Sequence, residues 1–183
     1  MEVRDTTDAD AERVAALIDS VARERRYLAS TVGFPVDSTR AFVASVQAAG
    51  GVHVVAVASG EVIGWCDILP HPFEGMQHVG RLGMGVQKDH RSRGVGRELL
   101  SVAVQKAFAG ALDRIELEVF ASNRSAVKFY ETFGFECEGR KVAARRLDGV
   151  TDDILVYAMR KAAFDSLSLD CRTEAEASRI IVD

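Results

Sequence analysis

Apolar and polar residues change their period several times along the chain, and each change marks an element. After a short strand at Glu2 to Arg4, Thr7 or Asp8 offers a cap, and Val14, Ala15, Leu17, Ile18 and Val21 then fall on one helical face. A polar and aromatic stretch runs from Arg23 to Phe34 and is closed by Pro35; Asp37 or Ser38 then caps a second helix with Phe42, Val43 and Val46 on one side. Val52 to Ala58 and Glu61 to Leu69 are β-rich runs joined by Ser59-Gly60, which predicts an antiparallel hairpin. Pro70 and Pro72 break the second run. His78 to Val86 predicts another strand in spite of Gly80, Gly83 and Gly85; glycines weaken a strand, so three of them point to close approach by a ligand.

The second half is more regular. Val95, Leu99, Leu100, Val102, Ala103, Ala107 and Phe108 cover a wide helical arc that ends near Gly110, and Arg114 to Phe120 alternates Ile115, Leu117 and Val119 against Glu116 and Glu118 as a strand does. If the strands flanking this helix share a sheet, they run parallel through a right-handed crossover. Asn123 caps a helix carrying Ala126, Val127, Phe129, Tyr130 and Phe133, with Gly134 where a left-handed residue ends it. Phe135 to Val142 and Val150 to Met159 are two further strands joined by a turn at Asp148-Gly149. The organisation expected is one domain over residues 1–162 and an acidic tail over 163–183, helical or mobile.

Composition narrows the function classes. Nearly half the residues are apolar and about a quarter charged, which is ordinary for a globular chain. The net charge of −4 argues against binding nucleic acid by neutralising phosphates, despite Arg145 and Arg146. The acidic N-terminus is unlike a signal peptide, and no apolar run approaches a membrane span of roughly 18 residues. Cys66, Cys137 and Cys171 lie far apart without a C-x-x-C, and the histidines lack metal-ligand spacing. These features point to a cytoplasmic protein with free thiols, no metal and no membrane partner.

The chemistry concentrates between Val86 and Leu100. A strand gives way to a loop, R-S-R-G-V-G-R, and the loop to a helix. Such a helix mouth presents unpaired backbone N–H groups at the positive end of the dipole, and Gly94 and Gly96 keep side chains out of the way. With Arg91, Arg93 and Arg97 around it, the loop reads as an anion cradle. The spacing is neither that of the nucleotide P-loop nor the three-glycine dinucleotide fingerprint. Taken alone, it is equally satisfied by a two-glycine turn with solvated arginines.

Three blocks follow in fixed order: G-M-G-V with R-S-R-G-V-G-R-E-L-L, then I-E-L-E-V-F-A-S-N, then A-V-K-F-Y-E-T-F-G-F-E-C-E-G. This arrangement resembles the GCN5-related N-acetyltransferase (GNAT) superfamily over about Val3 to Arg160. The resemblance implies an α+β fold, an α/β/α sandwich whose seven-stranded mixed sheet splays between strands 4 and 5. It implies acetyl-CoA as cosubstrate, with its pantetheine arm along Met84 to Val86 and its pyrophosphate on the amides of Arg91 to Gly96, so that Met84, Val86, Arg91, Arg93, Gly94, Val95, Gly96 and Arg97 bind the cofactor. It further implies that Asn123 bonds the pantetheine or the substrate, and that Tyr130 donates a proton to the departing thiolate. A phenol suits that role, although a helical aromatic stripe would place a tyrosine there as well.

Transfer also requires the acceptor amine to lose a proton. Glu118 matches the place of a base glutamate in some ribosomal-protein N-terminal acetyltransferases of this superfamily, while Glu116 shares its face; either also suits an ion pair with an arginine. The blocks R-I-E-L-x-V-F, F-E-x-E-G and D-G-x-x-x-D-x-x-x-Y-A-M look most like bacterial members acting on free amino acids or related small amines. The expected partner is therefore a small-molecule amine or a peptide N-terminus. A non-catalytic acyl-CoA-binding module stays as the alternative, and a homodimer stays open because such proteins often pair.

Overall fold

The computed structural model describes residues 1–166. The strands are β1 (Glu2–Asp5), β2 (Val52–Ala58), β3 (Glu61–Pro70), β4 (Val79–Val86), β5 (Arg114–Phe120), β6 (Glu136–Leu147) and β7 (Val150–Arg160). The helices are α1 (Ala11–Arg23), α2 (Val36–Ala48), α3 (Val95–Ala109) and α4 (Arg124–Phe133). The strands form one mixed sheet in the order β1-β2-β3-β4-β5-β7-β6, antiparallel except for β4 beside β5. This is the fold class expected from the sequence.

The parallel pair is the feature that shapes the molecule. β4 and β5 pair only over Val79 to Arg81 and Arg114 to Glu116. Beyond that point β4 stays bonded to β3 as far as Val86, and β5 stays bonded to β7 as far as Phe120. Each strand keeps its outer partner while the inner edges separate, so a gap opens in the middle of the sheet. Strand edges without a ladder partner are free to bond another extended chain.

α3 buries Leu99, Leu100, Ala103, Val104 and Ala107 against Val54, Cys66, Ile68 and Ile115, and α4 adds Tyr130 to the same core. On the other face, α1 buries Val14, Leu17 and Val21 against Val55 and Trp65. The two faces follow from period two in the strands, with Cys66 and Ile68 facing α3, and Trp65, Asp67 and Leu69 facing α1 and α2.

Four local expectations change. A short 3₁₀ turn, Asp8–Asp10, precedes α1, because Asp10 folds back to accept from the Thr7 N–H at 2.9 Å and from Arg4 at 2.7 Å. α2 starts at Val36 behind Pro35 rather than after a cap at Asp37 or Ser38; Asp37 lies inside the first turn and pairs with Arg40 at 2.7 Å. β6 continues to Leu147 instead of stopping near Val142. It is an edge strand with polar residues on both faces, which hides a period of two, and irregularities after Cys137 and Lys141 break its register. Finally, the β4 glycines make room for the protein's own side chains. A Cβ at Gly85 would lie 2.2 Å from the Trp65 ring, one at Gly83 would lie 3.0 Å from Asp67 Oδ1, and one at Gly80 would lie 2.5 Å from Ile68.

The tail expected from residue 163 begins as helix over 161–166, with Phe164 packed 5.4 Å from Phe108 between ring centroids. The rest of that expectation lies outside the described residues. Among them, no helix is long and apolar enough to cross a membrane.

Candidate active site

The loop after β4 is built to expose amides. Ser92 takes φ of 58° and Gly94 φ of 87°, so the chain alternates hand just before α3 begins. Alternation of this kind turns successive N–H groups toward one side and makes a concavity for an anion. Of the two left-handed positions, the one next to α3 is Gly94, where an added Cβ would meet nothing within 4 Å. Val95 is buried beneath the loop and anchors it to the core, so its contribution to the concavity is its amide.

The three arginines divide the work. Arg91 turns back: its Nε donates to the Val86 carbonyl at 2.8 Å, its Nη1 donates to Glu24 Oε2 at 2.8 Å, and its guanidinium lies 4.7 Å over the Tyr27 ring. Hydrogen bonding to Arg91 holds the Glu24 carboxyl below its ordinary range. Arg91 therefore ties the end of α1 to the loop, and its side chain is committed there. Arg97 is exposed on the rim of the cleft, and Arg93 is exposed on the loop.

Behind the loop, a cleft of about 660 Å³ follows the gap in the sheet. Its walls include Met84 and Val86 of β4, Gly94 and Gly96 of the loop, Arg97 of α3, and Asn123, Phe129 and Tyr130 around α4. Asn123 is the helix cap: its Oδ1 accepts from the Ala126 N–H at 3.3 Å and from the Ser125 hydroxyl at 3.1 Å. Tyr130 is 9% exposed, with its ring against Phe129 and Phe135. Burial pushes its phenol well above the usual tyrosine range, so the hydroxyl remains a proton-bearing donor.

A second cavity, of about 340 Å³, opens on the face carrying α1 and α2. Phe42, Asp67, Leu69, Arg81, Glu116, Glu118 and Val156 line it. Both cavities are bounded by Leu82, Gly83 and Glu118, so they meet where β4 and β5 part. Glu118 pairs with Lys141, and Glu116 lies 3.7 Å from Arg114. The sequence reading passed over Asp67. Its signal was an acid inside the apolar run from Val62 to Leu69, and burial raises its carboxyl to about 7.

A comparison with known families decides the ancestry. The family described as "Acetyltransferase (GNAT) family" matches residues 16–135. This chain belongs to the GNAT family.

Among GNAT relatives, the L-amino acid N-acetyltransferase AaaT of Escherichia coli is 35% identical over 95 residues, covering 50% of this chain and 59% of AaaT. The chain spans about half the length of the curated relatives it matches. Solved structures share the fold more fully. The ribosomal-protein-alanine N-acetyltransferase of Brucella melitensis superposes with a TM-score of 0.82 at 22% identity, over 87% of this chain and 99% of that one. A phosphinothricin acetyltransferase of Sinorhizobium meliloti in complex with acetyl-CoA gives 0.82 at 17% identity, over 87% of each chain.

Proposed function

We propose that this protein is an acetyl-CoA-dependent N-acetyltransferase that moves an acetyl group directly to the primary amine of a small molecule, an amino acid or a close relative. The observation that carries the reading is the meeting of a cleft with a glycine-bend anion loop and a cavity with carboxylate walls at Leu82, Gly83 and Glu118. One holds a thioester by its diphosphate; the other receives an amine.

The residues present fit acetyl-CoA. The bend at Ser92 and Gly94 offers amides from Arg91 to Gly96 to a diphosphate at the start of α3, with Arg97 beside it. The inner edge of β4, without a ladder partner beyond Arg81, offers the backbone of Met84 and the Val86 N–H to a pantetheine arm, the Val86 carbonyl already accepting from Arg91. Asn123 keeps its side-chain oxygen for the helix cap and has its NH₂ group left for the cleft. Acetyl transfer leaves a thiolate, and the Tyr130 hydroxyl supplies a hydrogen bond and then a proton to it. Arg81 is exposed in the acceptor cavity and suits the carboxylate of an amino acid, and the relative AaaT is an L-amino acid N-acetyltransferase.

The test is release of free thiol from acetyl-CoA across a panel of L-amino acids, simple amines and short peptides. Turnover with an amino acid or small amine is expected. Tyr130→Phe should lower kcat by about 10²-fold while leaving acetyl-CoA affinity in place. Absence of turnover with every amine defeats the reading, and an unchanged kcat in Tyr130→Phe removes the phenol from the reaction.

A further inference from the structure

The acceptor cavity contains three carboxylates, and they are not equivalent. Glu118 is committed to Lys141, and Glu116 sits beside Arg114, which also grips Glu138. Among the described residues, Asp67 belongs to no ion pair. It stands opposite Gly83, whose missing side chain lets the carboxylate lie against the β4 backbone; a Cβ there would come within 3.0 Å of Oδ1 and 3.2 Å of Oδ2. Gly83 is also a wall of the larger cleft. The one carboxylate without a cation is thus held where the two cavities join.

Resting on the acetyl-transfer reading above, we propose that Asp67, and not Glu118, meets the ammonium of the acceptor and takes its proton. The amine N–H bond breaks and an O–H bond forms on Asp67. The nitrogen lone pair then forms the new C–N bond to the acetyl carbon as the C–S bond breaks; the departing thiolate takes the Tyr130 proton, and the second amine proton passes to the Tyr130 phenolate and restores the phenol. Asp67 returns its proton to solvent through the open cavity.

Burial raises the Asp67 carboxyl to about 7, the Trp65 indole partly opposing the shift, so it is a base near neutral pH. The titratable and charged groups facing it are His53 from β2, Arg81 from β4, and Glu116 and Glu118 from β5; α2 and β7 contribute only Phe42 and Val156. His53 is buried and neutral, so the cation among the residues lining the cavity is Arg81.

The experiment compares wild type, Asp67→Asn and Glu118→Gln on the best L-amino acid of the panel and on hydroxylamine, whose nitrogen is already neutral at pH 7. In wild type, kcat/KM for the amino acid should rise through an apparent pKa near 7. Asp67→Asn should lose about 10²-fold with the amino acid, lose that inflection, and fall only a few-fold with hydroxylamine. Its acetyl-CoA affinity, measured by calorimetry, should be unchanged, which separates lost chemistry from lost folding. Glu118→Gln should keep the inflection. Equal losses on both acceptors, an inflection that survives Asp67→Asn, or one that disappears in Glu118→Gln overturns the assignment. Wild type that binds acetyl-CoA yet acetylates nothing refutes instead the reading on which it rests.

Discussion

His53 and Asp67 face each other on neighbouring strands, and both are perturbed by burial in opposite senses for stability. His53 is 2% exposed, bonded to Thr6 Oγ1 at 2.7 Å and capped edge-on by Phe42. Its imidazole is lowered from 6.5 to about 4, so the unfolded chain binds a proton that the folded chain refuses. Its contribution is complete above pH 6.5 and declines as pH falls toward 4, by about 2 kcal/mol at pH 5. Asp67 is raised from 3.8 to about 7, so the folded chain binds the proton first. Its contribution grows by roughly 2 kcal/mol as pH falls from 7 to 5. Wild-type stability should therefore be nearly flat across that window. Urea denaturation at pH 7 and pH 5 should show Asp67→Asn losing about 2 kcal/mol in acid while His53→Gln gains a similar amount. Parallel pH dependence in all three proteins would refute the argument.

Three further outcomes follow from the same packing. Gly85→Ala places a methyl group 2.2 Å from the buried Trp65 ring, so it should cost about 1–3 kcal/mol in thermal or urea denaturation. Glu24→Gln takes the charged partner from the half-buried Arg91 guanidinium, and calorimetry should show acetyl-CoA binding weakened by about tenfold. Gly94→Ala forces a side chain into a φ of 87° and should weaken the same binding while costing about 1–2 kcal/mol of stability.

The sequence carried the order of elements and the residues at the helix ends, because those depend on local signals. Gly94 before an apolar helix, Asn123 before α4 and Gly134 after it each occupy the backbone position their chemistry suits. Period two fixed the two faces of β5. Long-range partners were less legible. Nothing local to Arg91 showed that Glu24, 67 residues away, would hold its guanidinium, or that Lys141 from an irregular edge strand would hold Glu118. The β4 glycines were read as room for a ligand because the sequence could not show that Trp65 and Asp67 stand directly opposite them. Asp67 was missed for the same reason. An acid in an apolar run acquires meaning only when its cross-strand neighbour is a glycine and the next strand pair has opened.

In the proposed acetyl transfer, the gap between β4 and β5 aims a thioester from the anion loop toward an amine. A crystal structure with coenzyme A bound tests it most directly. The diphosphate is expected on the amides of Arg91 to Gly96 and the sulfur within hydrogen-bonding distance of the Tyr130 hydroxyl, on the way to the cavity beside Asp67. A diphosphate held elsewhere, or a sulfur pointing away from Tyr130, would contradict it.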